Sequence, residues 1–527
     1  MASIRRGNQP MPRTIRTSLI FSLLLLPFAI AQADEPELGS ISFPNSGAPQ
    51  AQTAFLTGVK ALHSFQFDEA RFAFEEAQRI DPSFALAYWG QAMSDNHPLW
   101  AQQDVDAASA ALNRLAPTSE GRLAKAPTEK EKAFLTAIEI LYYSPGDKLA
   151  RDKAYSNYMA GMQERWPDDD EIAIFHSLSL LGTVRPGDRG FRRQAHAAAI
   201  AESVFKDNPS HPGAAHFIIH SFDDPDHAIL ALPAAKVYAG IAPAAAHALH
   251  MPSHIFLQLG MWQDVVNSNI DAYAAALAVN EKYGLAEGRE DFHTLSWLAY
   301  ANLMLGQFDA AEENLSRAAA ALDRNPNSTR VHNGYLDMRG RHILETGQWE
   351  ELSLAPIDSV EGSHANWVAV VGMSAAHRGE TDAAISAEAR LRTLGQNAEA
   401  AGNLYAAREN AVLEQEVAAI RLLSDGDNDA AVAAARNAAD MEMQFLRMPS
   451  GPPKPMKPAG ELYAGVLLAA DRPEEAMEAF EAALQWVPLR TPSMRGLAEA
   501  AEESGDNKTA NEMYMRIKNM PGAHQGD

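Results

Sequence analysis

A short turn pattern recurs eight times along this chain, and it constrains the fold more than any other feature. The copies are Gln66-Phe67-Asp68-Glu69-Ala70, Gly260-Met261-Trp262-Gln263-Asp264-Val265, Gly306-Gln307-Phe308-Asp309-Ala310-Ala311 and Gly347-Gln348-Trp349-Glu350-Glu351-Leu352. They continue as Gly379-Glu380-Thr381-Asp382-Ala383-Ala384, Gly426-Asp427-Asn428-Asp429-Ala430, Asp471-Arg472-Pro473-Glu474-Glu475-Ala476 and Gly505-Asp506-Asn507-Lys508-Thr509-Ala510. A glycine ends one helix in the left-handed region, an aromatic packs the turn, and acids open the next helix, where the macrodipole favours negative charge. Repeated along the chain, this is a stack of antiparallel helix pairs. No alternating apolar runs flanked by turn dipeptides occur, so the chain reads as all-α. A length of 527 residues exceeds what one compact core holds, but it suits a repeat array.

Within 51–82, Gly58, Ala70, Phe74, Ala77 and Pro82 fall at the spacings of a 34-residue helix–turn–helix unit. Small residues stand where two helices cross closely, the aromatic fills the groove and the proline stops the second helix. This unit resembles a tetratricopeptide (TPR) repeat, and 461–488 (ELYAGVLLAADRPEEAMEAFEAALQWVP) resembles another. The resemblance implies a right-handed α-solenoid, on the order of ten helix pairs, that binds a protein or peptide in its groove. No Lys/Arg ladder lines the first helices, so a carboxylate clamp for acidic C-termini is not implied. The chain also resembles a group of secreted bacterial TPR proteins with a histidine-rich centre. That likeness is carried by Ala87-Tyr88-Trp89-Gly90, Asn96-His97-Pro98-Leu99-Trp100, Ala215-His216-Phe217-Ile218-Ile219-His220, the stretch His247 to Phe256, and Lys457 to Tyr463.

The expected organisation is a signal peptide (1–33), a mobile polar lead-in (34–50), N-terminal repeats (51–210) and a histidine-rich segment (211–300). Further repeats (301–447), a proline-rich loop (448–460), C-terminal repeats (461–518) and a disordered tail (519–527) follow. Arg5, Arg6, Arg13 and Arg16 precede the apolar run Ser18 to Ala31, and Ala31-Gln32-Ala33 forms a cleavage site before Asp34. That run is too short, and too interrupted by Pro27, for a membrane span needing about 20 residues. A periplasmic or secreted protein without a membrane anchor is therefore expected. The formal charge is −24, and the first 33 residues hold four arginines and no acid. A surface this acidic repels phosphate backbones, so no nucleic-acid partner is expected. Cysteine is absent, which excludes disulfides and thiolate chemistry. Thr128-Glu129-Lys130-Glu131 reads as a helix-opening capping box. The loop 448–460 holds five prolines in thirteen residues; it reads as a surface loop wedged between repeats, or as a polyproline-II segment docked in the solenoid's own groove or in a partner.

Seven of the seventeen histidines lie between His211 and His254. His216 and His220 stand at i and i+4 on an expected helix, a spacing at which two imidazoles chelate one ion. His250 and His254 have the same spacing, but Pro252 between them reads as a helix start, which puts His250 in the preceding loop. His293, with Glu290 at i−3, completes the candidate ligand set of His216, His220, His250 and His254. His247, Asp223 and His97 stand as alternates or as supporting groups, with His227 as a further possibility. The metal would be zinc, copper, nickel or iron. His216 is followed by Phe217, so no H-E-x-x-H base is built in, and no G-x-S-x-G supports a serine nucleophile. Two functions fit: a TPR scaffold for a protein or peptide, and a metal-dependent enzyme or metal-binding protein.

Overall fold

The computed structural model describes residues 37–185, 188, 190–354, 364–446 and 450–523. The signal-peptide segment 1–33, residues 448–449 of the proline-rich loop and residues 524–527 of the tail lie outside them. From Glu37 onward the chain is one unit, and it is an all-α, TPR-like right-handed solenoid. Successive helices pack against one another in sequence order. Among the described residues the one strand pairing is Asn96–His97 with Gln102–Gln103, antiparallel. No helix of the described residues is long and apolar enough to cross a membrane.

Local packing follows the sequence pattern. In the first repeat, helix Gln52–His63 pairs with Phe67–Ile80. Phe74 is fully buried and its ring lies where Cβ atoms on Gly58 and on Gly90 would stand. Ala70 and Ala77 are likewise fully buried, so the small residues permit the crossing and the aromatic fills it. Thr128 and Glu131 form the reciprocal capping box at helix Glu129–Tyr143. Every one of the eight turns has a residue at positive φ: Phe65, Gly260, Gly306, Gly347, Gly379, Gly426, Asp471 and Gly505.

Several expectations are corrected. Residues 37–48 are no mobile lead-in: Leu38 and Phe43 are buried, Ser40 N–H donates to the Ser210 carbonyl, and Ala244 N–H donates to the Glu37 carbonyl. The composition is loop-like, but two apolar anchors pin the strand-like path across three helices. The turn at Gly347 does not open a helix through Leu354; instead Trp349 stacks on His377, with centroids 4.0 Å apart. The proline-rich segment is not splayed on the outside. Arg341 donates to the carbonyls of Pro453 and Met456, Met456 is buried, and helix Ala459–Ala469 has begun before Gly460.

The array also closes on itself. Helix Gln52–His63 touches helix Pro212–Ser221, and one main core draws on residues from Leu38 to Ala311. A second core runs from Leu336 to Met513. The C-terminal repeats are tied back to the centre by Arg490, which is fully buried. Its guanidinium donates to Glu345 (2.7 Å), Glu461 (2.7 Å) and the Tyr300 hydroxyl (3.0 Å). The Trp262 indole donates to the Leu489 carbonyl beside it.

Candidate metal centre

The array lines a half-open cavity of about 1310 Å³, into which Trp100, His220, His254, His293, Trp297 and Lys454 face. The histidines come from four adjoining elements. His216 and His220 lie on helix Pro212–Ser221, opened by Pro212 and capped by the His211 side chain. His247 and His250 lie on Ala246–His250, His254 on Pro252–Gln258, and Glu290 and His293 on Glu290–Met304. Pro252 opens its helix, but Met251 between the two short helices is itself right-handed helical. His250 is therefore helical, not in a loop, and its i,i+4 relation to His254 holds after all.

The candidate ligands do not form one group. They form two adjoining trios, His216/His220/His247 and His250/His254/His293, each with its ligand atoms within 4.8 Å of one another. His247, foreseen only as an alternate, completes the first trio. There the His216 Nδ1–H donates to the His63 carbonyl (2.6 Å) and the His247 Nδ1–H donates to Glu290 (3.2 Å). Both Nε2 atoms are thus left as bare lone pairs. They and the His220 Nε2 are buried and have no hydrogen-bond partner. Bare acceptors without a donor cost about 1–3 kcal/mol each, and a cation at the focus of the three nitrogens removes that cost.

In the second trio, Asn269 donates its amide N–H to the Val265 carbonyl (2.8 Å), which leaves its oxygen to accept from His250 Nδ1–H (2.7 Å). Asp223 accepts from the His254 Nδ1–H (2.7 Å). The Nε2 atoms of His250 and His254 then face each other at 3.1 Å, and His293 Nε2 lies 2.9 Å from His250. Two imidazole lone pairs at that distance repel unless a proton or a metal ion lies between them. Asp223 and Glu290 are therefore positioning carboxylates that fix ring orientation, the part carboxylates play in metal–histidine–carboxylate relays.

Burial, reinforced by neighbouring imidazoles, holds His216, His220 and His250 well below the usual histidine range. His293 stands at the exposed edge of the second trio, and partial loss of water around its ring lowers it to about 4 even against the attraction of Glu290. Burial would raise Glu290, but facing His247 and His293 outweighs it and holds that carboxyl at about 2. Neutral imidazoles with fixed tautomers are the metal-ligating form.

The remaining candidates play other parts. His97 joins neither trio; it stacks on Phe67 at 4.0 Å. His227 bonds to Asp224 and stacks on Phe191. The Ser253 hydroxyl donates back to the His250 carbonyl. A third set, His63, Glu171 and His211, is fully buried. His211 Nδ1 accepts from the Ala214 N–H, so its Nε2 carries the proton and points it at Glu171, as His63 does. The His63 Nδ1 is the one imidazole lone pair left bare in this set; the pairing with Glu171 holds His63 in place and so positions its carbonyl for His216.

Sequence reasoning missed Phe65, Asn269 and Trp297. Trp297 packs against all three rings of the second trio, and Phe65 against all three of the first. Phe65 holds a positive φ of 52°, a strained conformation for a bulky residue. The signal was present in the first turn copy, which carries phenylalanine where six others carry glycine.

No family model matches the chain, and no curated protein is a match. Among solved structures, the human IFIT1 dimer with m7Gppp-AAAA is 14% identical, over 91% of each chain, with a TM-score of 0.31. Yeast Tom70 is 10% identical over 89% of this chain and 92% of its own, with a TM-score of 0.32. The TPR domain of P58(IPK) is 13% identical over 87% of this chain and 99% of its own, with a TM-score of 0.23.

Proposed function

We propose that this chain is an exported metalloprotein that holds transition-metal ions at the two histidine trios, facing a half-open cavity. The observation that carries this reading is the convergence of three buried, partnerless Nε2 atoms from His216, His220 and His247. Histidine donors alone suit zinc, copper, nickel or iron. A bound ion supplies Lewis acidity toward an oxygen of a cavity substrate. The chain's own contribution is to orient the rings through His63, Asn269, Asp223 and Glu290 and to surround the site with Phe65 and Trp297. Export is supported by the arginine-rich, apolar N-terminus and its Ala33/Asp34 cleavage site; N-terminal sequencing of the secreted product should begin at Asp34.

The test is elemental analysis of the exported chain, purified without a histidine tag. Two transition-metal ions per chain are expected. His216→Ala/His220→Ala should retain one, and His250→Ala/His293→Ala should retain one. Fewer than one ion per chain after reconstitution, in protein with native circular dichroism, overturns the reading.

The TPR-like fold also suggests a protein-interaction scaffold. A peptide entering the inner groove would have to displace the chain's own Pro453 to Met456 from Arg341. Pulldown with the Arg341→Ala variant, compared with the parent, tests whether that segment competes with a partner.

A further inference from the structure

The two trios differ in how solvent reaches them. In the first, His216 and His247 are buried, His220 is half-buried, and the Nε2 atoms of all three are buried. Phe65 packs against each of these rings, and Tyr238, itself fully buried, stacks on His216 at 5.2 Å. The focus of three buried nitrogens is out of reach of a water-sized ligand. In the second trio His250 is buried, His254 is half-buried and His293 is exposed. His254 and His293 both face the cavity. The spacing there also suits an ion. His250 Nε2 lies 3.1 Å from His254 Nε2 and 2.9 Å from His293 Nε2. Two imidazoles bound to one tetrahedral ion at about 2.0–2.1 Å stand about 3.3 Å apart. These rings are therefore already near ligand spacing and supply three corners of a tetrahedron. Three protein ligands with an accessible fourth corner make a site that takes a further ligand.

We infer that the two trios have different roles: the first retains a sealed ion, and the second holds the exchangeable ion, which accepts a monodentate oxygen or nitrogen donor from the cavity at its fourth position. This rests on the metal-binding reading and says which trio meets the ligand. His293 is the ring through which the second ion is reached. It alone of the six is exposed, and it stands near the start of helix Glu290–Met304. Its ring can turn away from the ion without disturbing helix Ala246–His250 or helix Pro252–Gln258, which carry the other two ligands. The first ion has no such exit. Its release requires a local opening that lifts Phe65 or helix Pro212–Ser221 from its neighbours, and local opening costs free energy that ring rotation at a surface does not.

The experiment loads the chain with cobalt(II), whose visible bands report its coordination, and follows removal of the metal by excess dipicolinate. Two phases of equal amplitude are expected, the second at least about tenfold slower than the first. His216→Ala/His220→Ala should keep only the fast phase, and His250→Ala/His293→Ala only the slow one. Azide, a monodentate nitrogen donor, should shift the bands of the first variant and leave those of the second unchanged. The parent chain gives the same test without a substitution: azide added after the fast phase is complete should leave the remaining bands as they are. A single release phase in the parent, or an azide shift of the slowly released ion, would leave the metalloprotein standing and overturn the division between the trios. If the parent chain, with native circular dichroism, binds no cobalt(II), the metal-binding reading itself fails.

Discussion

Eight turns bend through the left-handed region, and six do so on glycine. At Gly379 and Gly426 an added Cβ would meet nothing within 4 Å, so Gly→Ala there isolates the backbone cost, about 1–2 kcal/mol. At Gly260 the same change also meets Leu489 at 2.5 Å and should cost more; urea midpoints of the three variants would show the order. Phe65 is the instructive exception. Phe65→Gly relieves strain of about 1–3 kcal/mol but removes a buried ring whose loss costs about 3–5 kcal/mol. The net expectation is destabilisation near 2 kcal/mol, read by urea unfolding, together with weakened metal retention. Were the variant more stable and equally metal-bound, the ring would have no role at the trio. At this scale the i,i+4 pair His216/His220 was legible, because helical spacing alone brings the rings together. The membership of His247 was not, because it depends on where helix Ala246–His250 docks.

Between elements, buried acids link helix ends. Glu442, at the end of helix Asn428–Phe445, is 3% exposed and accepts from the Gly460 N–H at the start of helix Ala459–Ala469. Burial outweighs those backbone hydrogen bonds and raises its carboxyl from the ordinary 4.5 to about 7. The folded state therefore binds a proton that the unfolded chain has released, and stability falls as pH rises from about 4.5 to about 7. The swing is on the order of 3 kcal/mol. Glu442→Gln should flatten this fall and be more stable than the parent at pH 8; parallel melting curves for the two from pH 4.5 to 8 would refute it. Helices and turns at this scale were mostly readable from periodicity, capping and glycine placement. The exceptions are physical. Gly347 bends as expected, yet Trp349 finds a stacking partner in His377 and the chain from Gln348 to Leu354 stays non-helical. Residues 37–48 look like a linker but carry two anchors, Leu38 and Phe43, whose pocket exists only after the helices have assembled.

Across the whole molecule, Arg490 decides closure. It joins the C-terminal repeats to Tyr300 in the centre and to Glu345 and Glu461, with Lys457 on the same Glu461. Removing the guanidinium leaves Glu345 buried without its cation and Glu461 with only Lys457 and the Ser493 hydroxyl, a loss of about 3–5 kcal/mol. Arg490→Ala should therefore lower the denaturation midpoint sharply, and it should loosen the C-terminal repeats first, as amide exchange near residues 459–518 would record. Uniform exchange throughout would mean that the closure is held elsewhere. Repeat arithmetic along the sequence announces a stack of helix pairs but not that the stack returns on itself, since the contacts of Arg490 span up to 190 residues. The same closure has a consequence in time. Every proposed metal ligand lies between His216 and His293, while the opposite wall and its latch come from Pro453 to Met456 and Arg490. A chain that assembles from its N-terminus completes the histidine trios before the facing wall of their cavity is in place, so an ion bound there, as proposed above, would reach the rings from open solution.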